Sequence, residues 1–231
     1  VVLNPLDEYA VEEAIRLQEA HGGDTIALSM GPDTSQEALK TCLAMGCTEA
    51  ILVSDSAFEA SDTLGTAKVL AAAIRKADDI QLAFFGKQAI DGDTGQTTVQ
   101  TAQKLGWTPL TFVSQIKELD PEAGTITVVR LVEEGRETVK ATLPAVISVV
   151  KEINEPRYPS FMGIRKANRA QIPVWGAADL AFDSPPGAAK VDWSQVSALP
   201  TRDTQVEIIV ADTVEEQAKI LVDRLFEEKV I

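Results

Sequence analysis

The sequence predicts an α/β fold: a mostly parallel sheet with helices on both faces, antiparallel additions and a C-terminal arm. Three observations carry that expectation. Helix-like and strand-like segments alternate from the start of the chain to about residue 105. The strand-like segments are near-continuous apolar runs, as expected of strands buried on both faces. The linkers are short and rich in Gly, Pro and Asp, which leaves room for crossover helices but not for long excursions.

Residues 5–21 read as the first helix. Pro5 suits a first helical position, with Asn4 as the cap. Asp7, Glu8, Glu12 and Glu13 load its early turns, where the macrodipole favours acidic groups. Ala10, Val11, Ala14, Ile15 and Leu17 form the apolar stripe, and Gly22-Gly23 end the helix after His21, which is placed to cap its C-terminus. A strand over 25–30 closes at Gly31-Pro32. Asp33 or Ser35 caps a helix through Ala44, and Gly46 stops it. A strand over 50–54, a helix over 63–75 and a strand over 80–85 continue the alternation, and a helix over about 99–105 follows.

After Trp107 the pattern changes. Residues 110–119, 125–133, 137–143 and 145–150 read as four strands, with turns at 120–124 and 134–135, and are expected as antiparallel additions. Residues 154–175 read as irregular apart from a short basic helix over 163–170. From Gly176 to Arg202 the chain thins to Gly, Pro, Ala, Ser and Asp, as in an extended arm. A strand over 206–210 is expected next, then a helix opened by a Thr213–Glu216 capping box, with Val214, Ala218, Leu221 and Leu225 on one apolar face. Two regions follow: 1–175, an α/β domain, and 176–231, an arm and helix built to dock on something.

The residues richest in polar chemistry lie between the strand over 80–85 and the next helix: Gly86-Lys87-Gln88-Ala89-Ile90-Asp91-Gly92-Asp93-Thr94-Gly95-Gln96-Thr97. Strand-to-helix loops hold the ligands of open α/β sheets. Three glycines let backbone approach a ligand, and the following helix presents its N-terminus to an anion. Gln88, Asp91, Thr94, Gln96 and Thr97 offer polar side chains, and the amides from Gly92 to Thr97 would take a phosphate. No Gly-Lys-Ser/Thr closes the loop, so it is not a Walker loop. Asp91 and Asp93 argue against a bare triphosphate without a metal. The plain alternative is a tight turn followed by a helix cap.

The chain has 231 residues, 45% hydrophobic, enough for a sizeable core. Its 21 basic and 35 acidic residues give a net charge of −14, which disfavours nucleic acid and anionic membranes. No stretch approaches a transmembrane span. The two cysteines, Cys42 and Cys47, point to different faces of one helix and are expected as small core residues, not a disulfide. With one His in the chain, a transition-metal site is not expected.

Several segments occurring in order resemble one family. They are residues 4–17, the Cys42–Gly46 turn, the Gly86–Asp91 segment with its loop, Leu143-Pro144-Ala145-Val146, and Asn154-Glu155-Pro156-Arg157-Tyr158. The chain resembles the β subunits of electron-transfer flavoproteins over nearly its whole length. That resemblance implies a Rossmann-like fold whose C-terminal arm embraces an α subunit. It also implies an electron carrier, not an enzyme with its own substrate. The heterodimer would hold FAD chiefly in the α subunit, accept electrons from acyl-CoA dehydrogenases or related flavoenzymes of fatty acid oxidation, and pass them to a quinone reductase or another acceptor. A bacterial cytoplasm is the implied location, or the mitochondrial matrix in a eukaryote. The family's first strand should precede Val1, so the natural protein is expected to be longer.

The resemblance also implies site residues. The family's AMP contacts fall on Asn4, Pro5, Leu6 and Asp7, on Met30, and on Gly86 to Thr97. Leu6 stands where the family often has an aromatic residue beside the flavin. Docking on the dehydrogenase is implied for the segment after Tyr158, with Phe161 as the protruding anchor, Met162 beside it, and Arg165, Lys166 and Arg169 as a basic patch. A buried loop anchor with a solvated basic helix is the plain alternative. Bifurcating members carry a second FAD in place of AMP and read Gln-Val-Gly-Pro after the loop's Asp-Thr. Here Gln96-Thr97-Thr98-Val99 stands instead, which favours AMP. Leu131 follows Arg130 where some relatives have a Glu poised for an inter-subunit ion pair, so that bridge is not expected. Two readings of other classes remain: a free-standing nucleotide-binding regulatory protein, and a metal-assisted nucleotide hydrolase using Asp91 and Asp93.

Overall fold

The computed structural model describes residues 2–59, 61–182, 189–191, 197–198 and 206–230. The elements run α1 (Pro5–His21), β1 (Ile26–Met30), α2 (Gln36–Met45), β2 (Glu49–Val53), α3 (Thr63–Ala77), β3 (Leu82–Gly86), α4 (Thr97–Leu105), β4 (Thr108–Asp120), β5 (Thr125–Val132), β6 (Gly135–Thr142), β7 (Ala145–Val149), α5 (Phe161–Ala167), β8 (Val174–Trp175) and α6 (Val214–Glu227). The alternation read from the sequence through α4 is present with shifts of a residue or two at the ends.

The strands form two sheets, ordered β1-β2-β8 and β3-β7-β4-β5-β6. The first is wholly parallel, and in the second β3, β7 and β4 are parallel while β4-β5-β6 form an antiparallel meander. The architecture is thus α/β and mostly parallel, with one revision. β7 was expected as an antiparallel addition; it inserts in parallel between β3 and β4. Its sequence explains the placement, since Ala145, Val146, Ile147, Ser148 and Val149 are all buried, and a strand buried on both faces belongs in the middle of a sheet.

The period of two along β7 sorts the core. Ala145, Ile147 and Val149 pack with Ala10 of α1, Leu110 and Val113 of β4, and Ile126 and Val128 of β5. Val146 points the other way, to Ala102 of α4 and Ile74 of α3. The small sheet follows the same rule. Ala27, Ala50 and Leu52 meet Ile15 of α1 and Leu39, Cys42 and Met45 of α2, whereas Val53 meets Val69, Ala72 and Ala73 of α3. Helices α1 and α2 therefore cover one face, and α3 and α4 the other. Fully buried side chains such as Leu52 and Ile147 each contribute about 2 kcal/mol through their removal from water. Cys42 and Cys47 are free and buried in this core, and burial pushes their thiols up to about 12 and about 11.

Three further expectations change. Residues 174–175, read as irregular, form β8 beside β2, with the Leu52 and Ser54 amides donating to the Pro173 and Trp175 carbonyls. Residues 206–210, read as a strand, form none; Val206, Ile208 and Val210 alternate as a strand would but are exposed. The short basic helix begins at Phe161 rather than Gly163, so Phe161 and Met162 open a helix instead of standing on an irregular loop.

The chain divides into two units, Val1–Asp192 and Trp193–Ile231. The first continues past residue 175, because Trp175, Leu180 and Phe182 pack on the Val53 cluster and Asp55 accepts the Ala177 amide at 2.8 Å. Residues 183–188, 192–196 and 199–205 of the expected arm lie outside the described residues. In the second unit α6 is capped by Thr213, which accepts the Glu216 amide at 3.2 Å. None of its residues is buried, and Val214, Leu221, Val222 and Phe226 remain exposed.

Candidate functional site

The site grows from an uncommon use of a helix cap. Asn4 sits at the N-cap position of α1, yet its side chain makes no cap hydrogen bond. Its Nδ2 instead donates to Asp7 Oδ2 and to the Gln88 carbonyl, each at 3.0 Å, and its Oδ1 accepts the Ile90 amide at 3.2 Å. Asp7 Oδ1 accepts the Gly86 amide at 2.6 Å. Three of these hydrogen bonds join the start of α1 to the end of β3 and the loop beyond it, and the fourth, from Asn4 to Asp7, ties the two anchoring side chains together.

Gly86 is required by close approach. A Cβ there would lie 2.6 Å from the Leu6 carbonyl carbon and 2.7 Å from Asp7 Oδ1. Burial drives the Asp7 carboxyl above its ordinary value, and the Gly86 amide and Asn4 only partly offset that rise. A carboxylate held this way fixes a strand end, leaving the outer loop free for a ligand.

That loop is exposed from Ala89 to Asp91 and from Asp93 to Gln96. Its turn is internally braced, with the Asp93 amide donating to the Ala89 carbonyl at 2.9 Å, Gln88 Nε2 donating to Asp93 Oδ1, and the Gly92 amide donating to Asp91 Oδ1 at 2.6 Å. Asp93 (φ 51°) and Gly95 (φ 60°) are left-handed, a conformation Asp tolerates better than most side chains. The turn delivers the chain to α4 with Gln96 at the N-cap but no side-chain cap. Gln96 Oε1 instead accepts from Thr63 Oγ1 at 3.1 Å, tying the loop to α3. The first amides of α4 have no carbonyl partner within the helix, so the residues present suit a phosphate there.

Asn4, Asp7, Gly86, Gln88, Ile90 and Asp93 are therefore joined in one hydrogen-bonded constellation, with Pro5, Leu6, Ala89, Asp91, Gly92 and Thr94 to Thr97 on the same chain segments, while Gln96 bonds instead to Thr63 and Gln100. Met30 packs in the Val53–Val69 cluster at the end of β1, among residues that are not part of this constellation. Lys87 extends over the Phe112 ring, its ammonium 5.6 Å from the centroid. Phe112 was not foreseen as a neighbour of the loop. It is left-handed (φ 57°) at a break in the β4–β7 register, with its amide on Ser148 Oγ at 3.1 Å. Nothing in the sequence marks a phenylalanine for that conformation.

A second cluster lies along α1. Glu12 is 2% exposed, and its carboxylate is gripped by Arg157 and Arg16: Arg157 gives Oε2 both its amide (3.1 Å) and its Nε (2.8 Å), its Nη2 reaches Oε1 at 3.2 Å, and Arg16 Nε reaches Oε1 at 2.6 Å. Arg157 also forks onto Glu19 at 2.6 and 3.0 Å. Burial pushes the Glu12 carboxyl up, but the hydrogen bonds from Arg157 and Arg16 outweigh it and leave the group below its usual value. Beside it Glu13 is raised by burial, against the pull of the Asn154 amide 3.0 Å away. Asn154 Nδ2 also donates to the Tyr9 carbonyl at 3.0 Å. The sequence places Glu12 and Glu13 among the acidic residues of the early turns of α1 and gives no sign of their burial. Their partners Asn154 and Arg157 stand more than 140 residues away, and no local signal pairs them with α1.

This cluster holds the segment that leads into α5. Tyr158 is 95% exposed, Phe161 80% and Met162 68%, with Arg165 and Lys166 in the last turn. Ser160 caps α5 by accepting the Gly163 amide at 2.9 Å, and Gly163 packs so tightly on α2 that a Cβ would run into the Ala44 carbonyl. The apolar side chains thus project from a supported helix start. Elsewhere, a shallow concavity of about 540 Å³ lies over β4, β5 and β6. Arg130 lines it, fixed by the Thr111 carbonyl (2.9 Å), Thr111 Oγ1 (2.8 Å) and Glu137 (3.3 Å). None of the described helices is long and apolar enough to cross a membrane.

Comparison with known proteins shows the family. The electron transfer flavoprotein domain matches residues 1–180. Subunit CarD of the caffeyl-CoA reductase–Etf complex of Acetobacterium woodii is 39% identical over 233 residues, spanning 100% of this chain and 88% of that protein. The electron transfer flavoprotein subunit beta of Thermoanaerobacterium thermosaccharolyticum is 38% identical over 232 residues, with the same shares. Protein FixA of Azotobacter vinelandii is 39% identical over 186 residues, 79% of this chain and 66% of that protein. The chain belongs to the electron transfer flavoprotein family and is of its β-subunit type.

Proposed function

We propose that this chain is the β subunit of a heterodimeric electron carrier, that its cleft at the β3–α4 loop holds a structural AMP, and that its α5 segment docks the flavoenzyme that supplies electrons. The observation that carries the nucleotide reading is the uncapped N-terminus of α4 beside a loop whose shape is braced from α1 and α3. Asn4, Asp7 and Gln88 hold the loop; the Gly92 and Asp93 amides are spent within the turn, on Asp91 Oδ1 and the Ala89 carbonyl, so the amides of Thr94 to Thr97 are the ones proposed to take the phosphate, with Leu6 and Met30 as the proposed border of the cleft. The FAD, held mainly by an α subunit, supplies the redox chemistry. No catalytic residue is assigned to this chain, whose part is to bind, orient and present.

The likeness to a subunit of a caffeyl-CoA reductase–Etf complex supports a partner acting on CoA thioesters, and an acyl-CoA dehydrogenase is the proposed donor. The acceptor is a quinone reductase or another electron acceptor, and the proposed location is a bacterial cytoplasm. The exposed apolar residues of α6 support docking of the second unit on the α subunit. A second reading is a bifurcating carrier with a second FAD in the same cleft in place of AMP.

The docking reading is tested by Phe161→Ala in the heterodimer. An exposed aromatic anchor accounts for a large share of a small interface. We expect the KM for the reduced dehydrogenase to rise about tenfold, equivalent to about 1.4 kcal/mol, with nucleotide content unchanged. Unaltered transfer kinetics would sink the docking role.

A further inference from the structure

One buried carboxylate fixes the residue next to the proposed docking side chains by both its backbone and its side chain. Glu12 Oε2 accepts the Arg157 amide and Nε, and Oε1 accepts Nη2, so neither the main chain nor the guanidinium of residue 157 can rotate without breaking a bond to a group removed from water. Exposed ion pairs fix little, because their side chains are free to move. This pair differs, since a buried carboxylate without its partners would be left uncompensated. The next residue is Tyr158, and α5 starts three residues later. Pro156 and Pro159, on either side, limit the backbone freedom of the intervening residues.

We infer that Glu12 and Arg157 are positioning residues for electron transfer: their fork sets where Tyr158, Phe161 and Met162 are presented to the donor. The inference rests on the docking reading above. It adds a mechanical link, because the helix that carries Glu12 is the one whose first turn is bonded to the nucleotide loop through Asn4 and Asp7. A single rigid helix, α1, thereby sets the spacing between the two proposed sites. The outer arm of the fork, to the exposed Glu19, adds little.

The test uses the heterodimer with Arg157→Gln, Arg157→Lys, Glu19→Gln and Phe161→Ala. Amide hydrogen exchange is read at residues 157, 163 and 164, whose amides are bonded to Glu12, Ser160 Oγ and the Ser160 carbonyl. Steady-state transfer is read with a short-chain acyl-CoA dehydrogenase as donor. For Arg157→Gln, exchange at these amides should quicken about tenfold and the donor KM should rise about tenfold, with kcat at saturating donor, flavin content and nucleotide content unchanged. Arg157→Lys should fall between Gln and the parent, and Glu19→Gln should stay within twofold of the parent. Unchanged exchange and KM in Arg157→Gln would overturn the inference. So would a joint fall of kcat and flavin content, which marks general unfolding. If Phe161→Ala leaves KM unmoved, the docking reading fails while the exchange data still decide whether Arg157 holds the segment.

Discussion

Gly86→Ala is expected to lower the stability of the first unit by about 3 kcal/mol and to abolish nucleotide retention. The added methyl would sit 2.6 Å from the Leu6 carbonyl carbon, and backbone on both sides must shift to admit it. The shift is resisted by Asp7, whose bond to the Gly86 amide is 2.6 Å, and by Asn4, which holds the Gln88 carbonyl at 3.0 Å. Any relaxation therefore moves α1 or the loop, and both border the proposed cleft. Urea unfolding and nucleotide analysis of the variant check the two halves of the expectation. A Gly86→Ala protein with parent stability and full nucleotide would show that the close approach is not needed.

Glu12→Ala is the second large effect. It strips the common acceptor from Arg157 and Arg16 and leaves the Arg157 amide without its partner. Breaking a fully buried pair costs about 3–5 kcal/mol. Both arginines are partly exposed, so a loss of about 2 kcal/mol is expected here. The sign with pH is separable. The folded Glu12 pKa is depressed, so its stabilisation is present above the unfolded value and is lost as pH falls through the folded value. Asp7 and Glu13 have raised folded values, so the folded state takes up their protons first on acidification and is favoured between those values and the unfolded ones. The parent should hold or gain stability on mild acidification, then lose it. In Glu12→Ala the deficit seen at neutral pH should shrink once the pH is below the folded Glu12 value. A deficit independent of pH would assign the loss to packing instead of charge.

Much of the fold was legible because its signals are local. Pro5 at the start of α1, Gly46 after α2 and the apolar run of β3 each carry their own instruction. What stayed hidden was decided by tertiary partners. β7 reads as one more strand of a meander, and only its burial on both faces puts it between β3 and β4. Residues 206–210 have a strand's alternation, but a strand needs a neighbour and none of the described residues supplies one. The candidate loop was legible by composition, yet its bracing was not. Asn4 has a cap's chemistry and spends it on Gln88 and Ile90 across 84 and 86 residues. Glu12 and Glu13 have the chemistry of a solvated helix turn and are buried because Arg157 and Asn154 arrive from the far end of the domain. Phe112 takes a left-handed backbone at a register break that no neighbouring residue announces.

The central claim is that the cleft built from α1 and the β3–α4 loop holds an adenine nucleotide in a flavin-bearing heterodimer. The most direct measurement is to co-purify the chain with its α subunit, denature the complex and quantify the released nucleotides by chromatography. One FAD and one AMP per heterodimer is the expected result. Two FAD and no AMP would contradict the AMP assignment and place a second flavin in this cleft, and one FAD with no adenine nucleotide besides it would contradict the nucleotide site itself.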